Sequence, residues 1–224
     1  MILLVTDTSG RNGTVALARA GNRDQIDVLE VVPLAGGMFS AQLVPQIAAL
    51  LQRHGLSKTD LDAFVVVTGP GSFTGLRVGL AAIKALAEIL QKPIAAVSLL
   101  ELIAIASRSQ GRVVAVLDGG RGEVFFGAYE IAGESVQVLR EELLSKADFL
   151  TEARDSVVAT PDPALAAAAR DAGLAVVSLE PLRPGMIASF GWKKLQAGVT
   201  VSPEQLEANY MRRSDAEIFV KKSS

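Results

Sequence analysis

Two α/β lobes built to one plan, each a mixed sheet flanked by helices, are what the sequence predicts, on three observations. Short β-branched apolar runs alternate with segments of helical apolar periodicity, the pattern of an α/β chain. Residues 2–32 give an apolar strand, an acid at its end, a glycine-containing turn and two further strands. Residues 113–141 repeat that order, with a strand ending in Asp118, the turn Gly119-Gly120-Arg121-Gly122 and two more strands. The polar stretch 107–111 then separates a first lobe, 1–107, from a second, 108–224, with a C-terminal tail. A chain of 224 residues suits one large domain or two of about 100 residues each.

Taken in order, residues 2–5, 14–18 and 25–32 read as strands, joined through the turn residues Gly10, Asn12 and Gly13. The first strand runs into Thr6-Asp7-Thr8-Ser9. This opening resembles the actin-like ATPase fold (ASKHA, ribonuclease H-like), where an Asp followed by small hydroxyl residues contacts phosphate or magnesium. Asp7, Thr8 and Ser9 match by type, and Asp118 is the counterpart in the second lobe. The alternative is that Asp7 closes a turn through Asx-type hydrogen bonds, and that Asp118 and Arg121 are hairpin chemistry. Residues 40–54 read as a helix, with Leu43, Val44, Ile47, Leu50 and Leu51 at helical spacing and Pro45 tolerable near its first turn. Gly55 stops it, 57–60 is a polar link, and 61–68 is the next strand.

The segment Gly69-Pro70-Gly71-Ser72-Phe73-Thr74-Gly75-Leu76-Arg77-Val78-Gly79 is a strand-to-helix turn. It is not a P-loop, because no Lys follows Gly75, and not a dinucleotide fingerprint, because the third Gly comes one residue late. Two readings stand: a tight turn that seats a helix on a sheet, or an anion site at a helix N-terminus with Ser72 or Thr74 as cap. On the second, Gly69, Gly71 and Ser72 join Asp7, Thr8, Ser9 and Asp118 as phosphate-loop candidates. The helix over 72–91 sets Gly75, Gly79, Ala82, Ala85 and Leu86 along one side, small enough for another backbone to approach. That backbone belongs either to the chain's own sheet or to a partner. Pro93 ends the helix, 94–97 is a short strand, and Ser98 with Glu101 reads as a capping box for a helix to 107.

In the second lobe, 113–117, 123–130 and 135–141 read as strands and 144–154 as a helix. Strands at 157–160 and 175–178 follow, with helices at 163–172 and from Pro184 or Gly185 to 197.

Composition removes several functions. With Lys and Arg at 22 against 24 Asp and Glu, the chain lacks the basic excess of a protein that grips RNA alone. The absence of cysteine excludes disulfides, thiol catalysis and cysteine-bound metal. The one histidine, His54, stands before Gly55 as a helix-end dipole partner, so no histidine pair is available for a metal and no base is placed for a serine protease. Lys84, Glu88 and Glu101 interrupt the apolar stretches, so no membrane span is expected. Met1 opens directly on a strand, without the basic start of a signal peptide, which fits a cytoplasmic protein.

The run GPGSFTGLRVGLAAIKALA resembles the signature of the TsaB (YeaZ) family, and LLVTDTS with TVALA resembles that family's opening. The resemblance covers about residues 1–130 and again 207–222. It implies a non-catalytic subunit of the bacterial complex that forms N6-threonylcarbamoyladenosine at position 37 of tRNAs reading codons that begin with A. The implied partners are a metal-binding, TsaD-like catalytic subunit and a TsaE-like ATPase. ATP and metal would then be held in the complex through the partner, with none bound by this chain alone, and tRNA would be met through the complex. The helices 40–54 and 72–91 are expected to pair with the partner's equivalents, through Leu43, Ile47, Leu50, Gly75, Gly79, Ala82, Ala85 and Leu86. A second copy of the chain would take that surface when the partner is absent. The sequence departs from the family at Phe39, where a His is usual, and at Asn209, where a Pro is usual before the Tyr210–Arg213 segment. The competing reading is an independent actin-like small-molecule kinase or ATPase, with Asp7 and Asp118 as its phosphate-loop acids.

Overall fold

The computed structural model describes residues 1–21 and 25–211. Among these, one unit comprises the described residues of 1–98 and 183–209, and another comprises 99–182 with 210 and 211.

In the first unit, β1 (Ile2–Asp7), β2 (Gly13–Ala20) and β3 (Ile26–Leu34) form an antiparallel meander. Helix α1 (Phe39–Arg53) crosses over to β4 (Ala63–Gly69), and α2 (Phe73–Leu90) to β5 (Ile94–Ser98), both parallel to β1. The sheet order is β3-β2-β1-β4-β5. Alternation in the strands gives the sheet two apolar faces. Leu4, Val15, Leu17, Phe64 and Val66 meet Leu43, Ile47 and Leu50 of α1 and Leu80 and Ile83 of α2 in one core. The opposite face carries α6 (Pro184–Gln196), whose Gly191 lies so close to the sheet that a Cβ there would stand 2.3 Å from Val65 Cγ1. Helix α1 continues through Pro45, well past the first turn. Pro45 and Ala41 are both exposed, so the carbonyl that loses its helical partner is open to water.

The second unit repeats the plan. Strands β6 (Gly111–Gly120), β7 (Glu123–Ala132) and β8 (Ser135–Ser145) form the meander. Helix α4 (Lys146–Glu152), β9 (Val157–Thr160), α5 (Pro163–Asp171) and β10 (Ala175–Ser178) complete the order β10-β9-β6-β7-β8. One face packs Val114, Val116, Phe126 and Val158 on Phe149, Leu165 and Ala169. The other packs Val113, Ala115, Phe125 and Tyr129 on Leu100, Ile103 and Ala104 of α3 (Leu99–Ala106). Both units therefore have the sheet order and three-layer build of the actin-like, ribonuclease H-like fold.

Two sequence-based expectations need correction. The boundary is not at 107/108: α3 leaves the first unit straight after β5, because its apolar side is buried on β6, β7 and β9. Residues 183–209 return in exchange, with α6 and the core residue Leu206. The helix expected over 144–154 begins at Lys146, since Leu144 pairs with Val124 in the β7–β8 ladder and Ser145 is the N-cap. In the C-terminal segment, Arg212 and Arg213 lie outside the described residues.

Candidate functional site

The site grows from the meeting of the β1–β2 turn with the glycine-rich loop between β4 and α2. At the end of β1, Asp7 Oδ1 accepts hydrogen bonds from the Ser9 amide at 2.9 Å and the Ser9 hydroxyl at 2.6 Å. This is the geometry of an Asx-type closure. Burial pushes the Asp7 carboxyl above its ordinary value, and the side-chain and backbone bonds from Ser9 oppose that rise. Thr8 and Ser9 are themselves buried.

The loop lies directly on this turn. The Ser72 amide donates to the Ser9 carbonyl at 2.6 Å. A Cβ on Gly71 would stand 2.2 Å from the Ser9 carbonyl oxygen, one on Gly75 2.1 Å from the Thr8 carbonyl oxygen, and one on Gly79 2.2 Å from Thr8 Oγ1. Three glycines of the motif are thus demanded by the approach of α2 and its loop to residues 8 and 9. Gly69 is fixed differently, with φ at +128°, in the left-handed half of the map where only glycine is at ease. Ser72 caps α2, its hydroxyl accepting from the Gly75 amide at 3.3 Å.

Beside this junction opens a cleft of about 430 Å³ whose walls include Arg11, Asn12, Phe39, Ser40, Ser72 and Thr74. Helix α2 has no acidic residue in its first turn. Its positive end and the exposed Arg11 give the cleft a lining suited to an anion. Phe39 is buried with its ring between Gly13 and Gly75 and has no polar group to offer. Arg11 carries no signal in the sequence, since Gly10, Asn12 and Gly13 around it read as a plain turn, and only the fold brings it to the cleft.

Asp118 does not end its strand as expected: it lies within β6, paired with Val124 two residues before the end at Gly120, half exposed and 3.9 Å from Lys146 Nζ. His54 is accounted for. Its Nε2 lies 2.9 Å from Glu30 Oε2, while Arg53 donates to both oxygens of Glu30, which holds the Glu30 carboxyl below its ordinary value. Among the described residues, no three His, Asp or Glu side chains cluster to hold a metal ion. No helix among them is long and apolar enough to cross a membrane.

The surface residues expected at a partner interface divide into three groups. Leu43, Ile47 and Leu50 lie in the unit's own core. Gly75 and Gly79 are covered by Thr8, just past the end of the central strand β1, and Gly75 also by Phe39. Ala82 and Leu86 are half-buried against the same core, and Ala85 faces outward. The outer side of α1 and α2 carries instead Val44 at 58% and Ile89 at 69% exposure, with Ala48, Ala81 and Ala85 beside them.

Comparison with known proteins gives a consistent picture. A family model described as TsaD, tRNA N6-adenosine threonylcarbamoyltransferase, matches residues 31–181. The chain is 34% identical over 152 residues to the Bacillus subtilis tRNA threonylcarbamoyladenosine biosynthesis protein TsaB, a match covering 67% of this chain and 65% of that one. The Escherichia coli protein of the same name is 28% identical over 228 residues, covering 96% of each chain. Among solved structures, YeaZ from Pseudomonas aeruginosa superposes with a TM-score of 0.68 at 25% identity, covering 93% of this chain and 99% of that one. With the signature loop seated on the first hairpin and these matches along the sequence, the chain belongs to the TsaB (YeaZ) family.

Proposed function

We propose that this chain is a non-catalytic subunit of the apparatus that makes N6-threonylcarbamoyladenosine in tRNA, and that it docks and activates a TsaD-like transferase. The names of its Bacillus and Escherichia relatives support the pathway. One structural observation supports the docking role. On α2, Ala81, Ala85 and Ile89 follow one another at four-residue spacing and are exposed, and on α1 Val44 and Ala48 do the same. A stripe of small and apolar side chains on two neighbouring helices is a surface built for other helices. The transferase contributes the metal, ATP and the reacting groups, and tRNA and a TsaE-like ATPase meet this chain only within the assembly. In the partner's absence a second copy covers the stripe.

The test is a pull-down with the transferase from the same cell. The interface is expected to bury on the order of 1,200–2,000 Å² in total. Ala85 is exposed, so Ala85→Arg is accommodated by the free chain and clashes only with a docked helix. The variant should keep its circular dichroism spectrum and melting temperature and lose capture. Wild-type capture by a folded variant overturns the docking surface. ATP turnover by the pure chain that vanishes in Asp7→Ala overturns the non-catalytic reading.

A further inference from the structure

We infer that residues 201–209 form a strap that sets the conformation of the glycine-rich loop, with Asn209 as the positioning residue. The starting point is a break in the β4–β5 ladder. Val67 pairs with Val97 and Gly69 with Ser98, so the register shifts across Thr68. A residue bulged out of a ladder has a main-chain group that the sheet does not satisfy. Thr68 is buried, and its side-chain hydroxyl is turned back to the Val97 carbonyl at 3.2 Å. Its own carbonyl accepts from the Asn209 amide at 2.8 Å.

The strap is held at both ends. The Val201 amide donates to the Ile94 carbonyl at 3.0 Å, pairing with the edge strand β5. Leu206 is buried in the core beneath α1 and α2. Asn209 then arrives against the first glycine of the loop, where a Cβ on Gly69 would meet the Asn209 carbonyl oxygen at 3.1 Å and its Cβ at 3.6 Å. One residue therefore satisfies the bulge and walls the turn that follows it. The loop's other side rests on Ser9 through the Ser72 amide. Together the strap and the first hairpin hold the loop from two directions, and the strap is the side supplied by the C-terminal part of the chain.

The experiment is hydrogen exchange on the full-length protein, comparing wild type with Asn209→Pro, which removes the donor, and Asn209→Ala, which keeps it. Loss of the bond to a buried carbonyl should speed exchange of the Ser72, Gly75 and Leu76 amides about tenfold or more in Asn209→Pro. Asn209→Ala, which keeps the amide, should accelerate these amides less than Asn209→Pro does, and peptides covering α5 should be unchanged in both. Unchanged loop exchange in Asn209→Pro, equal acceleration in Asn209→Ala, or equal acceleration in α5 overturns the inference. A check needs no variant: in wild type the Asn209 amide must itself be protected, and a freely exchanging Asn209 amide refutes the strap. The consequence for partner capture rests on the function proposed above and is read separately. Loop exchange that rises while capture stays at the wild-type level keeps the strap and removes the loop from the docking role.

Discussion

Gly79→Ala and Gly75→Ala separate two reasons for which a helix carries glycine. Alanine is the better helix former, by about 0.8–1.0 kcal/mol in a helix interior. At position 79 the new methyl would stand 2.2 Å from Thr8 Oγ1 and 3.3 Å from Thr8 Cγ2. Overpacking of this kind typically costs about 1–3 kcal/mol, so the net loss is about 0–2 kcal/mol. For a chain of this size that lowers the melting temperature by about 2–4 °C per kcal/mol. At position 75 the obstacle is the Thr8 carbonyl oxygen, 2.1 Å away and held in the strand-to-turn backbone. The loss there should sit at the upper end of the range. The decisive measurement is a pair of double-mutant cycles by thermal melting with Thr8→Ala. Removing the Thr8 side chain takes away the clash at 79, and a coupling of at least about 1 kcal/mol is expected. It leaves the carbonyl clash at 75 in place, so that cycle should close within about 0.3–0.5 kcal/mol. Equal coupling in both cycles, or stabilisation by either alanine alone, would refute the claim that close approach to residues 8 and 9 is what the glycines serve.

The remaining predictions are shorter. Asp7 has a folded-state pKa above its unfolded value, so its contribution to stability is full below the unfolded pKa and is lost as pH rises through the folded one. Asp7→Asn, which can still accept from Ser9, should therefore melt higher than wild type at pH 7, with the difference shrinking as the buffer is taken towards the unfolded carboxylate pKa; a difference independent of pH would falsify this. Phe39→Ala removes a buried ring lying on Gly13 and Gly75 and should cost about 3–5 kcal/mol by denaturant titration, whereas a surface effect under about 0.5 kcal/mol would contradict the packing described. Glu30→Gln at the exposed Arg53–His54 cluster should leave the denaturant midpoint close to that of wild type, since both partners stay hydrated, and a large drop would contradict this.

Most of the element order was legible because each strand and helix carries its own period. The strands of both meanders, the crossover helices and the repeat of one half in the other all follow from apolar spacing and turn residues. The lobe boundary was not legible, for a physical reason. The polar stretch at 107–111 is a real break in the sequence, but α3, before it, is apolar on a side that only the second sheet covers. Leu100, Ile103 and Ala104 show at helical spacing that something is buried, not against what. The same limit applies to Leu43, Ile47 and Leu50. Helical periodicity identifies the buried stripe of α1, and the first claim on a buried stripe is the chain's own core. Val44 is the exception: its spacing groups it with the buried residues, yet it is exposed and lies with Ala48 on the outer side of α1.

The signature loop carries the sharpest distinction between identity and mechanism. Its residues place the chain in a family because few sequences satisfy so many local demands at once. The demands turn out to be mechanical. Gly71, Gly75 and Gly79 clear the backbone and side chain of residues 8 and 9, Ser72 ties the loop to Ser9, and Asp7 closes its own turn. None of these contacts requires a nucleotide, and those of Gly71, Ser72, Gly75 and Gly79 seat α2 on the first hairpin. A helix pair held that rigidly presents its outer stripe in one geometry, which lowers the ordering cost of docking against another pair of helices. On the docking role proposed above, a substitution in the loop should weaken partner capture only to the extent that it moves Ala81, Ala85 and Ile89. Gly79→Ala is the place to see this, because its clash lies under the middle of α2. Capture should fall with Gly79→Ala and return when Thr8→Ala is added, in step with the melting temperature.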